Sequence, residues 1–381
     1  MGKRELLLIV AFVIVGAVVY QATAPPAGPN DRSVSLSGFL DKVRREMRGN
    51  RGRAEITKVS THELDAQTTE LRLSGGFQEV IITGEKRDNI EARVRITSNG
   101  TDDANAKQLA DETELKSDHA GSSLRLAIKY PEPGQQRAFL TLLVPARVNV
   151  RVDQGSGGQR TTIAHVASLE ATLRGETSVK NIAGRVNITH RAGRVTVDDS
   201  AALKLTGRGS DATVSNVRGD ASFSMQSGEL NASFITGSID VECQNTDVEI
   251  KKLDDAKGQF RVNAVGGSVT LEGLRGDARI DGRNTEIDIE LVKAAAVAVY
   301  NEGDEPIEIT APAGGFVLDA IAKEGRVNLP DDMRSALSVG GEEGEQRVNG
   351  AVRGGGPTIT LRSNHGDIIV RPPATTTNSQ R

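Results

Sequence analysis

Tryptophan is absent from this 381-residue chain, aromatic side chains make up 3% of it, and there is one cysteine. With Tyr20 in an apolar run, only Tyr130 and Tyr300 remain as tyrosine platforms. That scarcity weighs against a lectin groove and a polysaccharide lyase, both of which use aromatic faces to seat sugars. One cysteine, Cys243, allows no internal disulfide and no cysteine-based zinc cluster; at a turn-adjacent position it reads as a small tolerated residue. An excess of one charge is also missing. Lys+Arg number 47 against Asp+Glu 51, giving a net charge of -4 with the signs interspersed, so there is no composition-level footprint for nucleic acid. The five histidines, His62, His119, His165, His190 and His365, show no HxxxH or HxH spacing, and His190, before Gly193, and His365 read as turn residues. No nucleophile elbow, Walker loop or dinucleotide fingerprint occurs. No catalytic, cofactor-binding or metal-ligating residue is therefore expected, and no cofactor.

What is present begins at the N-terminus. Lys3 and Arg4 precede an uncharged apolar run from Leu6 to Tyr20, extendable to Ala24, close to the ~20 residues that span a bilayer. Ala22-Thr23-Ala24 has the form of a signal-peptidase site, but Pro25 follows at once and should hinder cleavage. The expectation is an uncleaved transmembrane signal anchor over 6–24 with a cytoplasmic stub at 1–5; a cleaved signal peptide and a buried helix are the alternatives. The basic residues on the N-terminal side keep that end cytoplasmic and send the rest outward. Residues 25–53 read as a linker followed by a short basic amphipathic helix. Its Lys42, Arg44, Arg45, Arg48, Arg51 and Arg53 would either face anionic headgroups or form a solvated spacer.

Residues 54–152 read as a β-rich cap. "EVIITGEK", "EARVRITS", "SLRLAIKY" and "AFLTLLVP" alternate as strands, and "DDANAKQLADETEL" between the second and third reads as a helix. Beyond it, over 153–290, a nine-residue phrase recurs with starts at Gly175, Gly184, Gly193, Ser210, Gly219, Gly228, Gly237, Thr246, Gly258, Gly267, Gly276 and Thr285. Two residues after each start stands an inward column running from Thr177 to Ile287, and four after it a second from Val179 to Ile289, with a wholly polar column between. Period two within a phrase means a strand with one buried face, and repetition stacks the strands as rungs of a solenoid. Glycine at the phrase start supplies positive φ at the turn. Val217, Ile235 and Leu253 stand at even intervals of two phrase lengths, which suggests two phrases per coil. The steps of 17 before Ser210 and 12 before Gly258 suggest outward bulges. Residues 291–372 read as irregular terminal coils and 373–381 as a disordered tail. The fold class is thus all-β: a right- or left-handed β-solenoid, parallel β-helix-like, with about two strands per coil, behind a β-rich cap with one helix and an N-terminal transmembrane helix.

The phrases "GRVNI", "GDASF", "GSIDV" and "GDARI", with "LTLLVPARVNVRVDQGSGG" (140–158) and "PTITLRSNHGDIIV" (357–370), carry a resemblance. From about residue 70 to 370 the chain resembles the bacterial β-strand-repeat adhesin-like proteins, kin to the head GIN domain. The resemblance implies an envelope-associated β-solenoid of mostly unknown function and brings no catalytic residues with it.

Asp211, Asp220, Glu229, Asp247, Asp277 and Glu286 follow the turn residue in many phrases, so stacking would give an acidic ladder. It reads either as a solvated charged row or as a calcium or general-acid site; the glycine-paired calcium repeat is missing. The pairs Asp198-Asp199, Asp254-Asp255 and Asp331-Asp332 read as loop acids. The leading expectation is a membrane-anchored, extracytoplasmic, non-enzymatic binding or scaffold protein. Its partners are the membrane through the N-terminal helix, and a protein or cell-surface glycan, with no nucleic acid. The alternatives are a polysaccharide-active enzyme and a partner in envelope stress signalling.

Overall fold

The computed structural model describes residues 52–64, 67–153, 160–253 and 258–373. The expected anchor at 6–24, most of the basic segment 25–53, Asp254-Asp255 and the tail from 374 lie outside them. Gly52 and Arg53, read as the end of that segment, open a strand instead, Gly52–Glu63. Among the described residues 24 strands join one open sheet, and no helix there is long and apolar enough to cross a membrane.

The repeated phrases are the rungs of that sheet. Leu203 pairs in parallel with Ala221 and Ala221 with Ile239; Ala212 pairs with Leu230 and Leu230 with Val248. Each partner lies two phrases further along the chain, so one coil is two phrases, one strand from each. Every residue of the two apolar columns is buried, and none of the polar column between them is. Parallel rungs sit about 4.8 Å apart, so each inward side chain is covered by its counterparts above and below. Phe223, for example, lies in register with Leu205 on one coil and Val241 on the next.

The first strand of each coil carries a third inward position that the phrase alignment does not reach. It holds Leu173, Met225, Cys243 and Ala264, all buried. Cys243 is therefore a core residue, not a turn-adjacent one, and burial pushes its thiol up to about 11. His190 occupies the same column, fully buried rather than in a turn; its Nδ1 lies 2.9 Å from Ser210 Oγ and its Nε2 3.1 Å from the Gly175 carbonyl. Desolvation holds its pKa below the usual value, outweighing the bond to Gly175.

Each coil turns at two corners. One corner places Asn181, Asp199, Asn216, Phe234 and Lys252 in the left-handed region, and the other Ala192, Ser227, Asn245 and Asn284. A single left-handed residue reverses the chain in little length, which is how one short phrase suffices for a strand and a turn. The glycines that open phrases divide into two kinds. Gly193 and Gly228 have positive φ as expected, but Gly184 and Gly219 do not. At those two a Cβ would stand 2.6 Å from the carbonyl of the coil beneath, at Ala167 and Ala201, so close approach rather than φ requires glycine.

The long step before Ser210 is a full rung and not a bulge. Ala201 stands where its opening glycine would, and Leu203 and Leu205 fill its inward positions. Across the step before Gly258 the pairing offset widens, Ile239 with Phe260 and Val248 with Val269. The extra residues lie in the chain between Leu253 and Gly258, outside the described residues.

At both ends the stacking order departs from the chain order. Near the start, Glu70–Ser74 lies between Ser123–Lys129 and Asn149–Asp153, while Glu79–Glu85 lies between Gln136–Pro145 and Arg160–Ala164. Near the finish, Thr358–Ser363 lies between Val297–Glu302 and Phe316–Lys323, while Ile368–Arg371 lies between Ile307–Thr310 and Val327–Asn328. Each chain-terminal coil is thus clamped between two coils from further inside. Antiparallel strands then close the stack: Asn89–Gly100, Gly52–Glu63 and Glu114–Ala120 at one end, Glu345–Val352 and the short Ser338–Gly340 at the other. Such capping blunts edges that would otherwise template further parallel rungs. The expected helix forms over Asp103–Glu112, its N-terminus capped by the Asp102 carboxylate, which accepts from the Asn105 N–H at 2.8 Å.

Candidate binding face

The first strand of each coil presents alternate side chains to solvent, and register aligns them into rows running along the stack. Thr206, Ser224, Glu242, Asn263, Asp281 and Tyr300 form one such row. Beside it the next outward position runs from Arg208 through Gln226, Gln244 and the exposed Val265 to Arg283 and Glu302. Between and beneath these rows is a groove of about 630 Å³, floored by Gly207, Met225, Cys243, Ala264 and Gly282. Five rung steps at about 4.8 Å make it roughly 24 Å long.

The walls mix polar side chains with the exposed apolar Val265, and some of the polar groups are paired. Arg279 grips Asp281 with two hydrogen bonds, at 2.8 and 2.9 Å, and lies 5.0 Å from the centre of the Tyr300 ring. Those bonds raise the Arg279 pKa. Arg283 pairs with Glu302 at 3.3 Å. The Cys243 thiol in the floor is kept protonated by its burial and offers no thiolate nucleophile at neutral pH. The groove therefore offers hydroxyls, amides, ion pairs, the charges of Arg208 and Glu242 and the apolar Val265 to a bound chain.

The acids read as one ladder belong to two corners. Asp220 and Asp277 open first strands; Asp211, Glu229, Asp247 and Glu286 open second strands. Three of them tie one coil to the next: Asp220 accepts the Ser238 N–H at 2.8 Å, Asp247 the Ser268 N–H at 3.1 Å, and Asp277 the Ala296 N–H at 2.9 Å. Asp367 does the same for the Arg326 N–H at 2.8 Å. Glu229 accepts instead from Asn231 on its own strand. These carboxylates satisfy corner N–H groups that the ladder leaves unpaired. Asp220→Ala and Asp247→Ala should each cost about 1–2 kcal/mol in urea unfolding; a change under a few tenths at both positions would refute this role. Among the described residues no group of three or more metal-ligating side chains converges.

The remaining residues singled out in the sequence are dispersed. Asp198 accepts from Asn216 and Ser215 at 2.7 and 2.8 Å, bonds that lower its pKa, and Asp199 pairs with Arg218 at 3.1 Å. Asp331 and Asp332 open the short helix Asp331–Arg334. His365 meets Glu324 at 2.9 Å, and His165 is a left-handed corner. His62 lies 3.1 Å from Ser60 Oγ; burial, with the charge of His119, lowers its pKa. Tyr130 donates to the Gly76 carbonyl at 2.7 Å, and burial raises it to about 12. A second, smaller hollow on the other strand face holds Glu272, Asp288 and Arg371. Burial raises the pKa of Asp288 against the pull of Arg371, which is ion-paired to Glu308.

No protein-family model matches the chain, and no curated protein does. Solved structures do. A candidate cell adhesion protein from Clostridium sporogenes is 12% identical, covering 84% of this chain and 100% of its own, with a TM-score of 0.21. A candidate adhesin from Parabacteroides distasonis is 9% identical over 65% of this chain and 95% of its own, at 0.37. A candidate adhesin from Bacteroides fragilis is 11% identical over 84% of this chain and 97% of its own, at 0.25.

Proposed function

We propose that the chain is a membrane-anchored, extracytoplasmic binding protein of the adhesin-like kind, whose coil stack holds an extended ligand along its first-strand face. The observation that carries this reading is the groove from Thr206 to Glu302, which crosses six coils without interruption. A groove built from one short segment per rung suits a linear polymer, because every rung can offer it the same pair of outward positions. The role is non-enzymatic: Asp281 and Glu302 in the walls are held by arginines, and three acids of the expected ladder hold backbone N–H groups. The anchor reading rests on the sequence at Lys3, Arg4 and the apolar run that follows.

The test of binding is a screen of the full chain in detergent against immobilised linear glycans and extended peptides, repeated with Ser224→Trp, which fills the groove. A ligand retained by the wild type and lost by the variant supports the reading; equal retention places binding elsewhere. Protease treatment of intact cells, with lysed cells as control, tests the orientation. Digestion of the coil stack only after lysis would overturn the outward placement.

A further inference from the structure

The groove opens at Thr206 and Arg208, and that pair is the last of three. Thr172-Leu173-Arg174, Thr189-His190-Arg191 and Thr206-Gly207-Arg208 recur at equal intervals, each one position short of two phrases. The middle residue is buried in all three, so the threonine and arginine on either side of it face outward on consecutive coils. The Gly184 N–H donates to the Ala167 carbonyl at 2.7 Å, and His190 lies 3.1 Å from the Gly175 carbonyl and 2.9 Å from Ser210 Oγ, which stacks the three coils on one another at that interval. The result is two parallel columns about 4.8 Å apart from rung to rung, one of threonine hydroxyls and one of guanidinium groups.

Stacking like charges on adjacent strands is unfavourable unless something neutralises them. Nearby ion pairs join Arg160 with Glu176, Arg218 with Asp199, and Arg151 with Glu170. Arg174 is already engaged, and the unneutralised charge rests on Arg191 and Arg208, which among the described residues have no carboxylate across from them. Exposed Lys204 adds a further positive charge to the same face. This concentration of cations occurs in a chain whose net charge is -4. Carboxylates bound the threonine row at both ends: Asp153 across from Thr172, and Glu242 two coils past Arg208.

We infer that the threonine–arginine ladder is the docking track for an acidic glycan, a linear chain of uronate-bearing sugars that continues from it into the groove. This rests on the binding role proposed above and names its ligand class. The rung spacing is close to the length of one extended pyranose residue, so a sugar chain can follow the rungs and set carboxylates on arginines and hydroxyls on threonines where its twist turns them to this face. A nucleic-acid strand needs stacking platforms, and the outward positions of these three coils carry no aromatic side chain; a uronate chain is held here through its carboxylates, so the scarcity that weighs against a neutral-sugar groove does not weigh against it.

The probe is a decasaccharide of α-1,4-linked galacturonate, titrated calorimetrically into the full chain in detergent, beside its fully methyl-esterified, uncharged form. Arg191→Gln/Arg208→Gln should weaken binding about 100-fold, roughly tenfold for each charge-assisted contact. Arg347→Gln, the same charge change in the terminal hairpin, should leave it within about twofold. The esterified form should bind at least about tenfold more weakly, and the charged form should lose affinity between low and high salt. Unchanged binding by the double variant, or equal binding of the two decasaccharides, overturns the ladder while leaving the groove open to other ligands. Tighter binding of polyglutamate or single-stranded DNA overturns the glycan assignment. Retention of a neutral polymer that Ser224→Trp abolishes, with no galacturonate binding, refutes this inference alone. Absence of any ligand from both experiments removes the binding role with it.

Discussion

Val241→Asp unfolds the centre of the stack, whereas Asp240→Asn, one residue away, leaves it intact. Val241 is fully buried and lies in register with Phe223 on one side and Val262 on the other. An aspartate there has no water, no cation and no spare backbone N–H, because both neighbouring rungs already pair along their length. It must carry an unpaired charge into the core or take up a proton. Either costs on the order of 4 kcal/mol or more, a large part of the stability of a typical domain. Because neighbouring coils support one another, the damage spreads to the rungs on both sides. Asp240 points to solvent on the same strand, so losing its charge should change stability by about 0.5 kcal/mol or less. Urea unfolding followed by circular dichroism reads both. Comparable stability of Val241→Asp and the wild type would mean that the inward columns are misassigned.

Gly228→Ala has the second large effect, and Gly209→Ala is its control. Both glycines have positive φ. At Gly209, φ is 60° and a Cβ would meet nothing within 4 Å, so alanine incurs only the left-handed penalty of about 1–2 kcal/mol. At Gly228, φ is 119°, beyond the well that alanine can use, and a Cβ would stand 2.2 Å from the Ser210 carbonyl oxygen of the coil beneath. Backbone cannot yield there without parting two rungs, so the loss should exceed that of Gly209→Ala by about 2 kcal/mol or more. Equal losses would show that φ alone, and not the approach between coils, selects glycine at this corner.

Alternation and period were legible in the sequence because they are local and repeated. Every position of the two inward columns, from Thr177 to Ile289, is buried. What failed was whatever the phrase alignment averaged away. Treating both phrases of a coil as equivalent merged Asp220 with Asp211, though they sit at different corners. Ending each phrase after its second inward residue hid the third column, so His190 and Cys243 were placed at turns. The threonine–arginine triplets went unread because their interval falls just short of two phrases and they stand where the phrase register shifts. Pairings such as Val297 with Ile359 and Ile307 with Ile368 join segments distant in the chain, and no local pattern announces them.

Those distant pairings also bear on how the molecule is made. From about Ser168 to Leu291 each new rung lies on the one synthesised just before it. That stretch can grow in step with translation, adding one coil at a time to a finished surface. The ends obey a different schedule. The coil at 70–85 waits for both of its neighbours, at 123–145 and 149–164, to emerge. The coil at 297–310 keeps one face bare until residues 358–371, the last strands among the described residues, leave the ribosome and slide in beside it. A nascent chain stalled just short of that point holds an open slot, shaped for its own missing segment and ready to take a strand from another copy.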